Sequence, residues 1–68
     1  MTFCILQKTI GDYYLSIEQG THNGVYVVSA HEKRGAQYYQ ISVNSYTELK
    51  KAKARYNYLI RKAKNGEL

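Results

Sequence analysis

The sequence predicts an α+β fold: a four-stranded antiparallel β-meander followed by one C-terminal α-helix packed on one face of the sheet. Two observations predict it. Over residues 3–43 of the 68-residue chain, short runs with alternating apolar and polar residues are separated by glycine-containing turns, as in sheets with one buried face. After residue 44 the apolar residues recur every three or four positions, which is typical of an amphipathic helix. No linker interrupts the chain, so we expect one ββββα domain over residues 1–68.

The first two predicted strands form a hairpin. Residues 3–10 lack helical spacing and are followed by Gly11-Asp12, a residue pair favoured in tight turns. In residues 13–18, apolar positions then alternate with mostly polar ones, and we expect Leu15 and Ile17 to face the helix.

Two further turns are predicted, at Asn23-Gly24 and at residues 33–35. The Asn-Gly pair suits a type I′ connection, because both residue types tolerate positive φ, and a β-branched strand follows it. The fourth strand covers residues 38–43. Its apolar members are Tyr39, Ile41 and Val43, and we expect Ile41 and Val43 to pack against the helix.

The helix is predicted to begin at Ser45 and to end near Lys64. Ser45 and Glu48 have the spacing of a capping box, and Asn65-Gly66 are residue types that commonly end a helix. The predicted sheet-facing positions fall within one arc of the helical wheel. They are Leu49, Ala52, Tyr56, Leu59, Ile60 and Ala63.

Positive charge is concentrated on the predicted helix. The chain has a net charge of +5, and residues 45–66 contain seven lysines and arginines but one acid, whereas residues 1–44 are balanced. A face of one sign that includes an aromatic residue is expected to bind phosphates or an acidic protein surface. The alternative is a solvated face that keeps a small protein in solution. The candidate binding residues are Lys50, Lys51, Arg55, Tyr58, Arg61 and Lys62.

A second candidate surface is the sheet face that the helix leaves open. The first and third predicted strands carry apolar residues on both faces, and one helix covers only one of them. We expect a protein interface there, and a second copy of the chain, forming a homodimer, is the leading candidate for the partner. The alternative is a twisted sheet that buries both of its faces. The candidate interface residues are Tyr14, Tyr38, Phe3 and Ile5.

The sequence offers no pattern typical of catalysis, metal binding or cofactor binding. Its one cysteine cannot form an internal disulfide, and it lies far in sequence from His22 and His31, so no zinc spacing exists. The acids form no predictable pair, and the glycines are spaced by strands rather than grouped in a phosphate-binding loop. Because no catalytic pattern is found, we expect a protein that is not an enzyme. With neither a signal peptide nor a membrane-spanning run, we expect it to be cytoplasmic.

The predicted function is a small binding module that docks a basic helix face on nucleic acid or on an acidic site of a nucleoprotein, as a phage or mobile-element accessory protein would. The alternative is a protein-binding inhibitor of host defence that uses the tyrosine-bearing sheet face. The order of elements resembles the small DNA-binding modules of phage-type recombinases and many short phage-encoded accessory proteins. Those recombinase modules bind through a basic sheet, whereas the sheet predicted here is neutral.

Overall fold

The computed structural model describes residues 2–20 and 24–68, which form four strands and one helix. The strands pair antiparallel in the order β1-β2-β3-β4, in one open sheet, and the helix packs against one face of that sheet. The predicted α+β meander with a C-terminal helix is therefore confirmed. The elements are β1 (Thr2–Ile10), β2 (Tyr13–Gly20), β3 (Tyr26–Arg34), β4 (Gln37–Tyr46) and α1 (Leu49–Lys64).

Glycines with positive φ make two of the hairpin turns. Gly11 (φ 58°) and Gly35 (φ 65°) each occupy the first position of a two-residue connection, where mirror-image hairpin turns require a positive φ. The predicted turn at residues 33–35 is displaced, because Lys33 and Arg34 still pair with β4. The Asn23-Gly24 prediction involves a residue outside those that the structure describes.

The predicted helix start is wrong. Ser45 is still part of β4, where it pairs with Val27, so its backbone belongs to the sheet and cannot begin a helix. The helix begins at Leu49, and Glu48 is the N-cap, with an extended backbone and no capping hydrogen bond from its side chain. The capping-box spacing therefore occurs here without the capping structure.

The predicted helix end near Lys64 is confirmed. Gly66 has a φ of 70°, and its N–H donates to the Ala63 carbonyl at 3.1 Å. The Glu67 N–H donates to the Lys62 carbonyl at 2.8 Å. These two bonds form a Schellman motif, which satisfies carbonyls at the end of the helix.

The core lies between α1 and the two central strands, β2 and β3. All six predicted sheet-facing helix positions contact it, with Leu49 and Ile60 partly buried at its margin. Its buried members are Leu15, Ile17, Val28, Ala30, Ala52, Tyr56, Leu59 and Ala63.

The prediction that Ile41 and Val43 pack against the helix is wrong. Val43 pairs with Ser29, which points away from the helix because its neighbours Val28 and Ala30 point toward it. Val43 is consequently 51% exposed and Ile41 36%. The register shift at Ile41 also divides the predicted apolar set of this strand, because Tyr39 pairs with Glu32 on the helix side whereas Val43 lies on the open face.

Candidate functional site

The exposed side of α1 carries side chains of one charge sign. Every ionisable group of the helix is a lysine, an arginine or a tyrosine, and its first turn contains no acid. Arg55 and Lys62 are half-buried at the margins of the helix, and the other cations are exposed. The structure thus places all six predicted binding residues on the part of the helix that the sheet does not cover.

Tyr58 lies between two of these cations. The Arg55 guanidinium carbon is 5.0 Å from the centre of the Tyr58 ring, and the Lys62 ammonium nitrogen is 5.5 Å from it. Both distances are within the range of cation–π interactions, and the spacing of three and four residues puts these side chains on one side of the helix. Arg55 is held further by donating from Nε to Asn44 Oδ1 at 3.1 Å.

Lys51, Arg55, Tyr58 and Lys62 form a line along the helix, which we call the basic row. At 1.5 Å per residue, the row is roughly 16 Å long. The contact between Arg55 and Asn44 shows that it lies on the side of α1 nearest β4. Lys50 and Arg61, the other two predicted residues, lie further round the exposed surface.

A glutamate lies at each end of the basic row. Glu48 pairs with Lys51 at 3.3 Å, and Glu67 pairs with Lys62 at 3.4 Å, both at the surface. The hydrogen bond to Glu67 raises the pKa of Lys62 above its ordinary value. Exposed pairs of this kind contribute about 0–1 kcal/mol each, so a phosphate can replace either glutamate at little cost.

The helix C-terminus adds a small cavity of about 190 Å³ beside the basic row. It offers hydrogen-bond donors and positive charge, but Glu67 at its rim makes it less favourable for anions. Its lining residues are Tyr58, Arg61, Lys62, Asn65 and Glu67.

The open face of the sheet carries a shallow aromatic cavity of about 500 Å³, lined by Thr9, Tyr14, His31 and Tyr38, one residue from each strand. The ring centres of Tyr14 and Tyr38 are 6.3 Å apart in an edge-to-face arrangement, and His31 is 6.3 Å from Tyr14. His31 lies in β3, and its buried Nδ1 has no hydrogen-bond partner among the described residues.

Phe3 and Ile5 do not join Tyr14 and Tyr38 on the open face. Ile5 packs against the core on the helix side, at a register shift in β1. Phe3 is exposed, but it also lies on the helix side of the sheet. It pairs with Gln19, which pairs with Tyr26, and Tyr26 packs against the core. The apolar part of the open face is therefore narrower than the sequence indicated.

The middle of the open face is polar. Ser16 and Ser29 are buried there and share a hydrogen bond with an oxygen–oxygen distance of 3.1 Å. Only the register between the strands brings these two residues and the aromatic cavity together, so alternation along single strands could not indicate them.

Comparison with protein families, curated proteins and solved structures found no match to this chain. Among the described residues, no helix is both long and apolar enough to cross a membrane. Within residues 2–20 and 24–68, no three histidine, cysteine or acidic side chains are grouped closely enough to hold a metal ion.

Proposed function

We propose that this protein is a non-enzymatic binding module that docks the exposed face of α1 on the phosphates of a nucleic acid. The observation that carries the proposal is the number of helix cations with no partner. Within the described part of the chain, the side chains of Lys50, Lys53, Arg61 and Lys64 have no ion pair or hydrogen bond. Binding such cations to phosphates releases condensed counterions, which is the main source of affinity in sequence-tolerant binding.

The basic row provides an ordered centre for this contact. Arg55 is held by Asn44 and by the Tyr58 ring, and Lys62 contacts the same ring. Side chains that are already ordered lose less conformational entropy when they bind. Tyr58 is exposed, and its hydroxyl proton can be donated to a phosphate oxygen. Contacts of this kind position a nucleic acid without reading its bases, so we expect little sequence preference.

An acidic site on a nucleoprotein would present carboxylates or phosphates to the same helix face, and it is the second form of this proposal. The alternative is a protein-binding inhibitor that uses the aromatic cavity of the open face. Its support is the meeting of Tyr14 and Tyr38 there, because tyrosine provides large contact area at interfaces.

The test is fluorescence anisotropy with a labelled 20-mer, single-stranded and duplex, from about 50 to 200 mM salt. The wild-type protein should bind at low salt, with an affinity that falls steeply as salt rises. Lys51→Glu combined with Lys62→Glu should make the negative slope of log affinity against log salt shallower by about 2, since each lost phosphate contact contributes about 0.9 to its magnitude.

The matched control is Lys8→Glu combined with Lys33→Glu, which changes the net charge equally but on the sheet. This control should keep most of the wild-type affinity. Equal losses in both variants would show that net charge rather than the helix face drives binding. No binding of either probe at about 50 mM salt, where electrostatic contacts are strongest, would refute the nucleic-acid proposal.

A further inference from the structure

The large apolar side chains that remain exposed are concentrated on β4. Among the described residues, this strand carries Tyr38, Tyr39, Ile41 and Val43 in that class. The helix packs mainly on β2 and β3, and β4 lies at the edge of the sheet. The remaining members of the class are Phe3, Leu6 and Tyr58.

These side chains lie on both faces of β4. Val43 is on the open face, level with Ser29. Tyr39 is on the helix side, because it is level with Glu32 and Tyr13, and Tyr13 packs against the core. A partner packed on one face of the sheet would cover only part of this set. A strand added beside β4 would contact both faces at once.

The composition of β4 favours such an addition. Its ten residues, Gln37–Tyr46, include no charged residue and no proline. Natural edge strands are commonly protected by those residue types, and β1, at the other edge, carries Lys8. A register shift near Ile41 divides β4 into two regularly paired segments, residues 37–40 and 42–46. Antiparallel pairing over part or all of the strand would form about 5 to 10 hydrogen bonds, as many as a typical interface contains.

We propose that β4 pairs antiparallel with β4 of a second copy of this chain, around a two-fold axis, to form an eight-stranded sheet. A second copy fits because an identical strand has no charge with which to repel its partner, and because two-fold pairing closes after two subunits. The open edge is thereby removed in both copies.

This arrangement places both helices on the same side of the joined sheet. With strands about 4.8 Å apart and each helix over β2 and β3, the helix axes lie roughly 19 Å apart. The basic rows face each other across the axis, since each lies on the β4 side of its helix. The use of this cleft for a nucleic acid rests on the proposed function, whereas the pairing of β4 does not.

Light scattering coupled to size exclusion at micromolar concentrations tests the pairing. Wild-type protein should have about twice the chain mass of 7.9 kDa. Val43→Lys should return the mass to that of one chain, because pairing would bring one lysine from each copy together on the same face of adjacent strands, where like charges repel. Thr9→Lys, which adds the same charge to the open face but on β1, should remain dimeric.

If Val43→Lys fails to fold, as judged by circular dichroism, Ser45→Lys tests the same edge at an exposed position. Loss of the dimer in Thr9→Lys as well would show packing through the open face and would overturn the β4 assignment. A wild-type mass of one chain at all concentrations would overturn the proposal, whatever the outcome of the nucleic-acid titration.

A distance measurement tests the geometry directly. Cys4 is the one cysteine in the sequence, is exposed and lies on β1, so it can carry a nitroxide spin label. In the proposed dimer the two labelled strands are seven spacings apart, so electron–electron dipolar spectroscopy should give roughly 34 Å or more. Two sheets packed face to face, about 10 Å apart, would bring the labelled strands within roughly 18 Å of each other, and that result would contradict the proposal.

Discussion

Truncation of Leu59 to alanine should remove a large part of the stability of this protein. Leu59 is 2% exposed and belongs to the core between α1 and the two central strands. Loss of three buried carbons costs about 2.4 kcal/mol at about 0.8 kcal/mol each. The cavity left behind raises the total to about 3 to 5 kcal/mol. A domain of this length is stable by roughly 3 to 10 kcal/mol, so Leu59→Ala should be close to unfolding.

The matched control is Leu6→Ala, the same chemical change at a position on β1 that is 38% exposed. Water can fill the space left there, so the cost should be about 1.5 kcal/mol or less. If Leu59→Ala proves unfolded, Leu59→Met provides the comparison, because it conserves volume and should cost less than about 1.5 kcal/mol.

Urea denaturation followed by circular dichroism measures both free energies of unfolding at one protein concentration. With a slope of about 1 kcal/mol/M for a small domain, Leu59→Ala should lower the midpoint by about 3 M or more. Equal midpoints for Leu59→Ala and Leu6→Ala would refute the packing of the helix on the sheet described above.

Three other variants test local features. Gly66→Ala should lower the free energy of unfolding in urea by about 1 kcal/mol, because φ is 70° there, a conformation that disfavours alanine. The space around this position is open, so no steric clash adds to the cost. An unchanged midpoint would contradict the Schellman ending. Burial raises the pKa of the Tyr56 hydroxyl, so the stability contributed by its neutral form is present below pH 10 and is lost as pH rises through the raised pKa. Tyr56→Phe removes this titration, so the melting temperature should fall less between about pH 8 and 11.5 than in the wild type. An identical dependence of the melting temperature on pH in both proteins would contradict this reasoning. Glu67→Gln frees Lys62 and should strengthen nucleic-acid binding roughly two- to fivefold, whereas weaker binding would show that Glu67 does not compete with phosphate.

The order and type of the elements follow from the sequence because their signals are local. Glycine turns and alternation predicted the meander, and spacing of three and four predicted the helix and its whole sheet-facing side. The sequence signal for the end of the helix was also local, since Gly66 can adopt the left-handed conformation that this ending needs. The start of the helix could not be predicted from local signals. Ser45 has the residue type of a cap, but its backbone is already paired with β3.

The sequence by itself determined a meander with one amphipathic helix whose outer face is positively charged, because periodicity and charge are properties of each segment alone. The tertiary structure decided which face of β4 turns away from the helix and which side chains meet. Val43 became exposed, and Tyr14 and Tyr38 came into contact without Phe3 and Ile5. The physical reason is that side chains alternate with a period of two, so register shifts in β1 and β4 decide which residues share a face, and register depends on pairing between segments distant in sequence.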